Sequence, residues 1–358
     1  MRAVLRLPSR PLIASQSLSQ LNTSAHFITQ AARTYQAPFA CHAKPYSSST
    51  RLLCNRNNMA EPGAWGAWQV QPSKFTQLVV DAMKTLYPEE LADRSWDNVG
   101  LLVGNSEREG RKPKVLVTND LTWQVAMDAI RQEASVIVSY HPFIFSGLKS
   151  ITNNDPQQAT LLRLAQAGIA VYCPHTAVDA APSGLNTWLA DIVSGPHPSK
   201  RSVAVPCATA PESHAPAGYG ALGHFDAPVS VPEILKRLAS ELGGLKHLMV
   251  ACPVGADVQV TTVRSFGVCA GSGYDVLKKA DVELLVTGET SHHSALRAIQ
   301  QGRILVQVFH SNSERGYLQK VLLPLLQGQL RSVVPEAEVV LSEFDKDPFT
   351  IMSVDELE

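Results

Sequence analysis

The chain has 358 residues, of which 45% are hydrophobic and 18% are charged, and its formal net charge is −1. This composition is typical of a globular protein with one large or two modest domains. No window approaches the roughly 18 consecutive apolar residues of a membrane span, which excludes a membrane-spanning protein. The six cysteines include no CxxC pair, so the sequence indicates free thiols in a reducing compartment rather than a disulfide framework.

The N-terminal segment, residues 1–58, differs in charge from the rest of the chain. It contains seven basic residues and eight serines but no acidic residue. Such a composition is typical of an organellar transit peptide, and we predict a disordered segment that directs the protein to mitochondria. Met59 offers an alternative start, which would leave a cytoplasmic protein. The remaining chain holds 24 Lys and Arg against 32 Asp and Glu, which disfavours binding to nucleic-acid phosphates.

From residue 66 onwards, predicted strands and helices alternate, which indicates an α/β fold. The same order of elements occurs twice. We therefore predict two similar βαβαβ lobes related by a pseudo-twofold, at 66–194 and 219–350, with a metal site in the cleft between them, all within one domain. Strands are predicted at 114–120, 135–141 and 168–175 in the first lobe, and at 263–273, 281–289 and 303–310 in the second. Helices are predicted at 121–134, 274–280 and 291–301.

Two segments around the lobe boundary have distinct compositions. Residues 195–218 are rich in Pro, Ala and Ser, and we predict a linker without one regular element. Residues 230–244 combine apolar positions spaced three or four apart with a terminal glycine pair, which predicts a helix. Ser230 and Glu233 have the spacing of a capping box at the start of that helix.

Histidines and carboxylates occur where the predicted strands end. The run VIVSYHPFIF ends a buried strand in His141, with Pro142 fixing the backbone behind it; a histidine that only hydrogen-bonds within the core is the simpler interpretation. The third strands of both lobes end in one shared pattern, which is His175-Thr-x-x-Asp179 and His310-Ser-x-x-Glu314. Because ligands bind beyond the carboxyl ends of parallel strands, these residues and Glu289 are expected to meet in one cleft.

Imidazole and carboxylate groups together favour a divalent metal such as Zn, Fe, Mn, Co or Ni, whereas an all-oxygen site favours Mg or Ca. If a helix begins at Ser311, His310 and Glu314 lie on one face of its first turn and can ligate together. Asp179 is suited to bridge two ions about 3.5–4 Å apart. The sequence thus predicts one or two divalent metal ions between the lobes.

Other polar residues near these strand ends are predicted to support the ligands or to cap turns. They are Asp97, Asn98, Asn119, Asp120 and one of the adjacent His292 and His293, since only one of that pair can face the cleft. Arg315 either contacts an anionic substrate or pairs with a neighbouring acid. The turn CAGSGYD at 269–275 either seats an anion or packs tightly. We find no GxxxxGK[ST], strand-borne GxGxxG, GxSxG or HExxH motif in the sequence.

An ordered set of motifs resembles the NIF-three-like family, the NGG-one-interacting-factor proteins also called GTP cyclohydrolase 1 type 2 homologues. The set is SWDNVGLLVG, TNDLT, SYHPFIF, PHTAVDAAPSGLNTWLA, CAGSG, TGETSHH and HSNSERG, and it covers roughly residues 70–350. The resemblance implies two related α/β lobes that bind a pair of divalent metals between them. It also implies a homo-oligomer, a toroidal hexamer built as a trimer of dimers.

Carried over residue by residue, the resemblance implies four metal ligands, which are His141, Asp179, His310 and Glu314. Many members have a His-His pair where this chain has Tyr140-His141, so one ligand of the second ion is absent or replaced by phenolate or water. We expect the ligands to be surrounded by Tyr140, His175, Asp97, Asn119, Asp120, Glu289 and Arg315.

The resemblance supports two hypotheses for function. In the first, the protein is a metal-dependent hydrolase that uses metal-activated water on GTP or another nucleotide-like substrate. In the second, it is a non-catalytic metal-binding or protein-interaction scaffold with a regulatory protein partner. The sequence shows no purine-specific or triphosphate-specific motif, so the substrate rests on the resemblance alone.

Overall fold

Two β-sheets form the framework of the protein, which a computed structural model describes from residue 71 to residue 357. The predicted transit peptide at 1–58 therefore lies outside the described residues. Within the described part of the chain, no helix is both long enough and apolar enough to cross a membrane.

Within residues 71–357, the first sheet has five strands in the spatial order β1-β4-β3-β2-β11. They are β1 (Gly100–Val103), β2 (Lys114–Thr118), β3 (Val136–Ser139), β4 (Ala170–Cys173) and β11 (Glu338–Leu341). Strands β2, β3, β4 and β11 run parallel, and β1 pairs antiparallel with β4 at one edge.

The second sheet, over the same described range, has six strands in the spatial order β5-β6-β8-β9-β10-β7. They are β5 (Ser199–Pro206), β6 (Gly218–Ser230), β7 (Met249–Ala251), β8 (Thr262–Cys269), β9 (Leu284–Thr287) and β10 (Ile304–Gln307). Strands β8, β9 and β10 are parallel, and β5, β6 and β7 join them by antiparallel pairing.

Helices pack on the faces of both sheets. They are α1 (Lys74–Leu86), α2 (Trp123–Arg131), α3 (Pro156–Ala167), α4 (His175–Ala180), α5 (Leu185–Ser194), α6 (Val231–Glu241), α7 (Tyr274–Leu277), α8 (His292–Gln300), α9 (Asn312–Tyr317) and α10 (Leu323–Arg331). A π-helical turn, Leu318–Leu322, joins α9 to α10. Short 3-10 turns occur at Glu89–Leu91, Glu212–His214 and Val354–Glu356.

The connectivity of the two sheets repeats as predicted. Strands β2, β3 and β4 follow one another along the chain and lie side by side in parallel, and β8, β9 and β10 do the same. Helix α2 follows β2 and α3 follows β3, while α7 follows β8 and α8 follows β9. The prediction of an α/β fold with two lobes is therefore confirmed.

Alternating side chains of the parallel strands divide the hydrophobic core. Val115 and Val117 of β2 belong to the largest core cluster, which includes residues of both sheets, while Leu116 packs with α2 and α3. In the second lobe, Val286 of β9 joins the same large cluster and Leu285 packs with α7 and α8. Strands β2 and β9 are thus buried on both faces, which explains their continuous apolar runs in the sequence.

The predicted linker at 195–218 is wrong in part, because residues 199–206 form strand β5. This strand pairs antiparallel with β6 from Ser199 opposite Phe225 to Pro206 opposite Gly218. Its position at the sheet edge tolerates the terminal proline, which would disrupt a central strand. Ser199, Ser202 and Pro206 of the predicted linker therefore belong to an edge strand of the second sheet, and the other prolines of 195–218 lie outside that strand.

The predicted end of the second lobe at residue 350 is also wrong. Strand β11 leaves the second lobe and pairs in parallel with β2 of the first sheet, with Val339 opposite Val115. Helix α10 leads into this strand and packs against α1, which lies at the other end of the described chain. The C-terminal region therefore belongs to the first lobe.

The predicted helix at 230–244 is confirmed as α6, but the capping box does not form. Ser230 occupies the N-cap position without a side-chain hydrogen bond. Glu233 instead lies 2.6 Å from His197 Nε2 and accepts a hydrogen bond of 2.9 Å from Arg237 Nη1. The contact with His197 attaches α6 to the segment that follows α5.

Candidate metal centre

The backbone pairing of β2 and β3 continues beyond both strands and positions residues of the first lobe. The Tyr140 N–H donates to Thr118 O at 2.9 Å, and the His141 N–H donates to Asn119 O at 3.0 Å. Asn119 and Asp120 at the end of β2 consequently lie beside Tyr140 and His141 at the end of β3. Tyr140 and His141 line a cavity, and Asn119 and Asp120 contact residues that line it.

His310 and Glu314 come from the second lobe, where β10 turns into α9. Phe309 has a φ of +69°, a left-handed backbone conformation that residues other than glycine rarely adopt. The bend ends the strand, and α9 begins directly after Ser311. As the spacing of four predicts, His310 Nε2 and Glu314 Oε1 lie 3.2 Å apart.

The side chains of His141, His310 and Glu314 converge from the two lobes. One possible ligand atom from each residue lies within 4.8 Å of the other two. His141 Nε2 is 3.6 Å from Glu314 Oε2, and the centroids of the two imidazole rings are 5.3 Å apart. Glu314 is buried, and its carboxylate lies between the two imidazoles. This group of three could hold a metal ion.

Each of these imidazoles has a carboxylate on its other ring nitrogen. Asp120 Oδ1 lies 2.8 Å from His141 Nδ1, and Glu289 Oε1 lies 3.1 Å from His310 Nδ1. The two contacts leave both Nε2 atoms directed at Glu314. A carboxylate that fixes the ring orientation and tautomer is typical of histidines that ligate metals.

His175 and Asp179 line the same cavity but lie outside this group of three. His175 Nδ1 is 2.7 Å from Asp97 Oδ1, and its ring centroid is 5.4 Å from that of His141. Asp179 Oδ1 accepts a hydrogen bond of 2.6 Å from the Tyr140 hydroxyl. The structure thus brings together three of the four ligands that the resemblance implies, and Tyr140 engages the fourth.

Glu314 is held by Asn119 and closely approached by Gly271. The Asn119 side-chain amide donates to Glu314 Oε2 at 3.1 Å. Gly271 has a φ of +57°, and a Cβ atom added there would lie 2.7 Å from Glu314 Oε1 and 3.1 Å from His310 Nε2. Glycine permits this conformation and this close approach of the backbone. Gly271 therefore forms part of the cradle around the ligand atoms.

Most backbone amides of the CAGSG turn are engaged within the protein rather than available to an anion. Three of its backbone N–H groups donate to side chains, which are Ala270 to Asn186 Oδ1, Gly271 to Ser313 Oγ and Gly273 to Thr287 Oγ1. Helix α7, which follows the turn, has only four residues. Of the two interpretations of this turn, tight packing is therefore the one that the structure favours.

Arg315, Asn98 and the histidine pair of α8 do not line the cavity. Arg315 Nε is 3.2 Å from Asp345 Oδ2, so its predicted pairing with a neighbouring acid is the observed alternative. His292 and His293 are both exposed at the start of α8 and do not line the cavity. The Asn98 side chain donates to the Ile144 carbonyl and supports the backbone.

The pKa values of half-buried Asp179 and buried Glu314, two carboxylates that line the cavity, shift in opposite directions. Burial raises the pKa of Asp179 to about 6. Burial acts on Glu314 in the same direction, but hydrogen bonds from His141 and His310 overcome it and lower its pKa to about 2. Burial opposes charge on His141, yet Asp120 and Glu314 raise its pKa to about 10, and Glu314 raises the pKa of His310 to about 9. The two imidazoles therefore compensate the buried charge of Glu314.

The residues present fit a divalent metal ion. Two imidazole nitrogens and a carboxylate are the donor set that Zn, Fe, Mn, Co and Ni favour. The imidazoles are oriented by Asp120 and Glu289, and the glycine cradle leaves space at the ligand atoms. The cavity in front of them has a volume of about 650 Å³, enough for a small-molecule ligand.

Fold and site together define a mixed α/β protein whose two lobes direct histidines and a carboxylate into a shared cavity. The sequence pattern of the Duf34/NIF3 (NGG1p interacting factor 3) family matches residues 76–348. The chain belongs to this family, and the resemblance noted in the sequence is confirmed.

Individual relatives match over most of their length. The chain is 42% identical to "Protein NIF3 homolog" of Schizosaccharomyces pombe, over 78% of this chain and 98% of that protein. It is 38% identical to "NGG1-interacting factor 3" of Saccharomyces cerevisiae, over 76% of this chain and 96% of that protein. A solved Bacillus cereus protein related to NIF3 has the same fold, with a TM-score of 0.62 at 19% identity over 79% of this chain and 100% of that chain.

Proposed function

We propose that this protein binds a divalent metal ion through His141, His310 and Glu314 and that it is a metal-dependent hydrolase. The observation that supports the metal site is the convergence of three ligand atoms within 4.8 Å. Carboxylates on the outer nitrogen of both imidazoles add to it, because they fix the histidines in the orientation that a metal needs.

An ion bound there supplies Lewis-acid chemistry and lowers the pKa of water towards about 7. The residues of the chain position the substrate, exclude bulk solvent and carry protons. Asp179 suits proton transfer, because burial raises its pKa to about 6 and the Tyr140 hydroxyl fixes its Oδ1 atom. A carboxyl group that exchanges its proton near neutral pH is an efficient general acid or base.

Asp179 and His175 also favour a second ion. Asp97 holds His175 Nδ1, which leaves Nε2 of that imidazole for another ligand. Among the described residues, only the Tyr140 hydroxyl donates to the Asp179 carboxylate, so Oδ2 is free to ligate. With two ions bound, Asp179 serves as the ligand that the resemblance implies; with one ion, it serves as the proton carrier.

Metal content tests the site. Elemental analysis and anomalous scattering on protein purified without chelators should detect a bound divalent metal, and His310→Ala should lose it. His292→Ala is the matched control, since His292 is exposed on α8 and outside the cavity. Equal metal content in both variants and the wild type would contradict the proposed site.

Turnover tests the hydrolase. A screen of GTP and other nucleotide-like compounds on the metal-loaded protein should identify a substrate whose hydrolysis is lost in Glu314→Gln. Assembly, which we propose to be the hexamer of the resemblance, should be unchanged in that variant by light scattering. Metal binding without turnover across the screen would instead favour a binding role, and the Saccharomyces cerevisiae relative carries the name of an interacting factor.

A further inference from the structure

The cavity beside the candidate metal centre has an aromatic wall. Trp96 and Phe145 both line it, and their ring centroids are 6.1 Å apart. The two side chains are 51% and 52% exposed, so neither is required to fill the core. Exposed aromatic rings in a cavity are suited to stack against a planar ligand.

Trp96 is oriented by its neighbours rather than free to rotate. Its indole N–H donates to Asp93 Oδ2 at 3.0 Å. Its ring stands edge-on to His175 with centroids 5.7 Å apart, and His175 in turn lies 5.4 Å from His141. Because the rings run continuously from Trp96 to the candidate metal ligand His141, a ring stacked on Trp96 lies in the cavity that opens on the metal centre.

The charges of the cavity disfavour a phosphorylated ligand. Carboxylates of Asp93, Asp179, Asp275 and Glu314 line it, and within residues 71–357 neither lysine nor arginine does. Phosphate groups are usually bound by Arg, Lys or free backbone amides. Arg315 is paired with Asp345, and side chains already bind three amides of the CAGSG turn, those of Ala270, Gly271 and Gly273. A phosphate would therefore meet no lysine or arginine on the wall of the cavity, while Lys278 beside it is paired with Asp275 and the imidazoles of His141 and His310 are paired with carboxylates.

We propose that the cavity binds a neutral or cationic planar heterocycle with N–H donors, rather than a nucleoside triphosphate. The inference deepens the proposed function, on which it rests, by naming the class of substrate. The ring stacks on the wall formed by Trp96 and Phe145, and the carboxylates of Asp93 and Asp275 accept hydrogen bonds from its N–H groups. Nucleosides represent this class, and their phosphates carry the same rings with added negative charge.

Calorimetric titration of the full-length, metal-loaded protein tests the proposal. The probes are guanosine, adenosine and cytidine, each compared with its 5′-monophosphate and triphosphate. At least one nucleoside should bind more tightly than its phosphates. Trp96→Ala should weaken that binding by about 5- to 100-fold, as expected for loss of one stacking partner. The control Trp123→Ala, which removes an exposed tryptophan outside this cavity, should bind like the wild type.

Tighter binding of the phosphates, equal binding by Trp96→Ala, or no binding of any nucleoside would each overturn the proposal. The metal content of Trp96→Ala should equal that of the wild type. Weaker nucleoside binding by this variant can then be attributed to the lost stacking partner rather than to damage at the metal centre. The titration is repeated on metal-free protein. Nucleoside binding by a protein that takes up no metal would refute the proposed metal function and still support the aromatic subsite.

Discussion

The side-chain amide of Asn119 donates a hydrogen bond of 3.1 Å to Glu314 Oε2, which links the two lobes at the candidate metal centre. Asn119 follows β2 of the first sheet, and Glu314 lies on α9 beyond the second. Asn119 Oδ1 is buried and has no hydrogen-bond partner among the described residues. A buried unpaired acceptor is costly, and the amide offsets it by donating to Glu314 and, at 3.3 Å, to Asp120 Oδ2.

Asn119→Ala is therefore expected to weaken metal binding by about 10- to 100-fold, as is typical when a residue that orients a ligand is removed. Competition with a chromogenic chelator measures the affinity. Asn153→Ala, which changes an exposed asparagine in the loop before α3, is the control. Wild-type affinity in Asn119→Ala would show that Glu314 is held in place without this contact.

Gly271→Ala should reduce metal uptake while the fold persists. The added methyl group would lie 2.7 Å from Glu314 Oε1, so the carboxylate must move out of the ligand group. Gly110→Ala separates this contact from backbone strain, because Gly110 also has a positive φ, of +73°, but no atom within 4 Å of an added Cβ. Equal metal uptake by the two variants would contradict the role of Gly271 as a cradle.

Tyr140→His should raise the number of metal ions bound per chain. The substitution removes the hydroxyl that donates to Asp179 Oδ1 and places an imidazole beside His141. Tyr140→Phe removes the hydroxyl without adding a ligand and should leave the stoichiometry unchanged. Elemental analysis compares the three proteins, and a higher ratio in Tyr140→Phe would show that the lost hydrogen bond, rather than a new ligand, admits the second ion.

Asp128→Asn should destabilise the protein, because the Asp128 carboxylate fastens the C-terminal segment to α2. It is buried and accepts hydrogen bonds from Ser342 Oγ at 2.9 Å and from Gln132 Nε2 at 3.0 Å. The asparagine amide would place an N–H donor opposite one of these donors, so one hydrogen bond would be lost. The expected cost is about 1–3 kcal/mol in the free energy of unfolding. Asp81→Asn, at an exposed position of α1, should have little effect.

The same variant should change the pH dependence of stability. Burial opposes ionisation of Asp128, but hydrogen bonds from Gln132 and Ser342 and the charge of Arg131 lower its pKa below the ordinary 3.8. A lowered folded-state pKa stabilises the protein above pH 3.8, and the contribution is lost as the pH falls through the folded-state value. Denaturant titrations measure the free energy of unfolding of wild type and Asp128→Asn. The difference between the two should be constant near neutral pH and should become smaller in acid.

Residues 1–58 should carry a fluorescent reporter into mitochondria. Their seven basic residues and lack of acids underlie the prediction, which concerns a segment outside the described residues. Imaging of the fusion measures the location. A second fusion in which the arginines are changed to alanine should stay in the cytosol, and a cytosolic location of the unchanged fusion would refute mitochondrial targeting.

Periodicity and strand ends were sufficient to predict the α/β framework and the meeting of His141 with His310. Both lie just after apolar strands, and parallel strands direct their carboxyl ends to one edge. The His310–Glu314 contact followed from a local spacing of four residues. Features of this kind are predictable because they depend on neighbours along the chain.

The contacts that the sequence did not predict mostly join residues that are distant along the chain. No spacing indicates that Asp345 would pair with Arg315, or that Asn119 would reach Glu314. Strand β5 was not predicted from the sequence because it contains Pro and Ser residues that are typical of a linker. An edge strand tolerates them because it pairs with only one neighbouring strand. Glu233 contacts His197, a tertiary partner, and Arg237, one turn along the same helix, instead of forming the capping box.

Pairing of β11 with β2 sets the order in which the protein can mature during synthesis. Strand β2 remains an open edge of the first sheet until residues 338–341 have left the ribosome, although its other neighbour, β3, follows within about twenty residues. Open strand edges recruit other chains, so the nascent first lobe depends on its own far end to close the sheet. A ribosome that stops between residues 314 and 338 releases a chain that already contains all three residues of the candidate metal centre but lacks the strand that closes the first sheet.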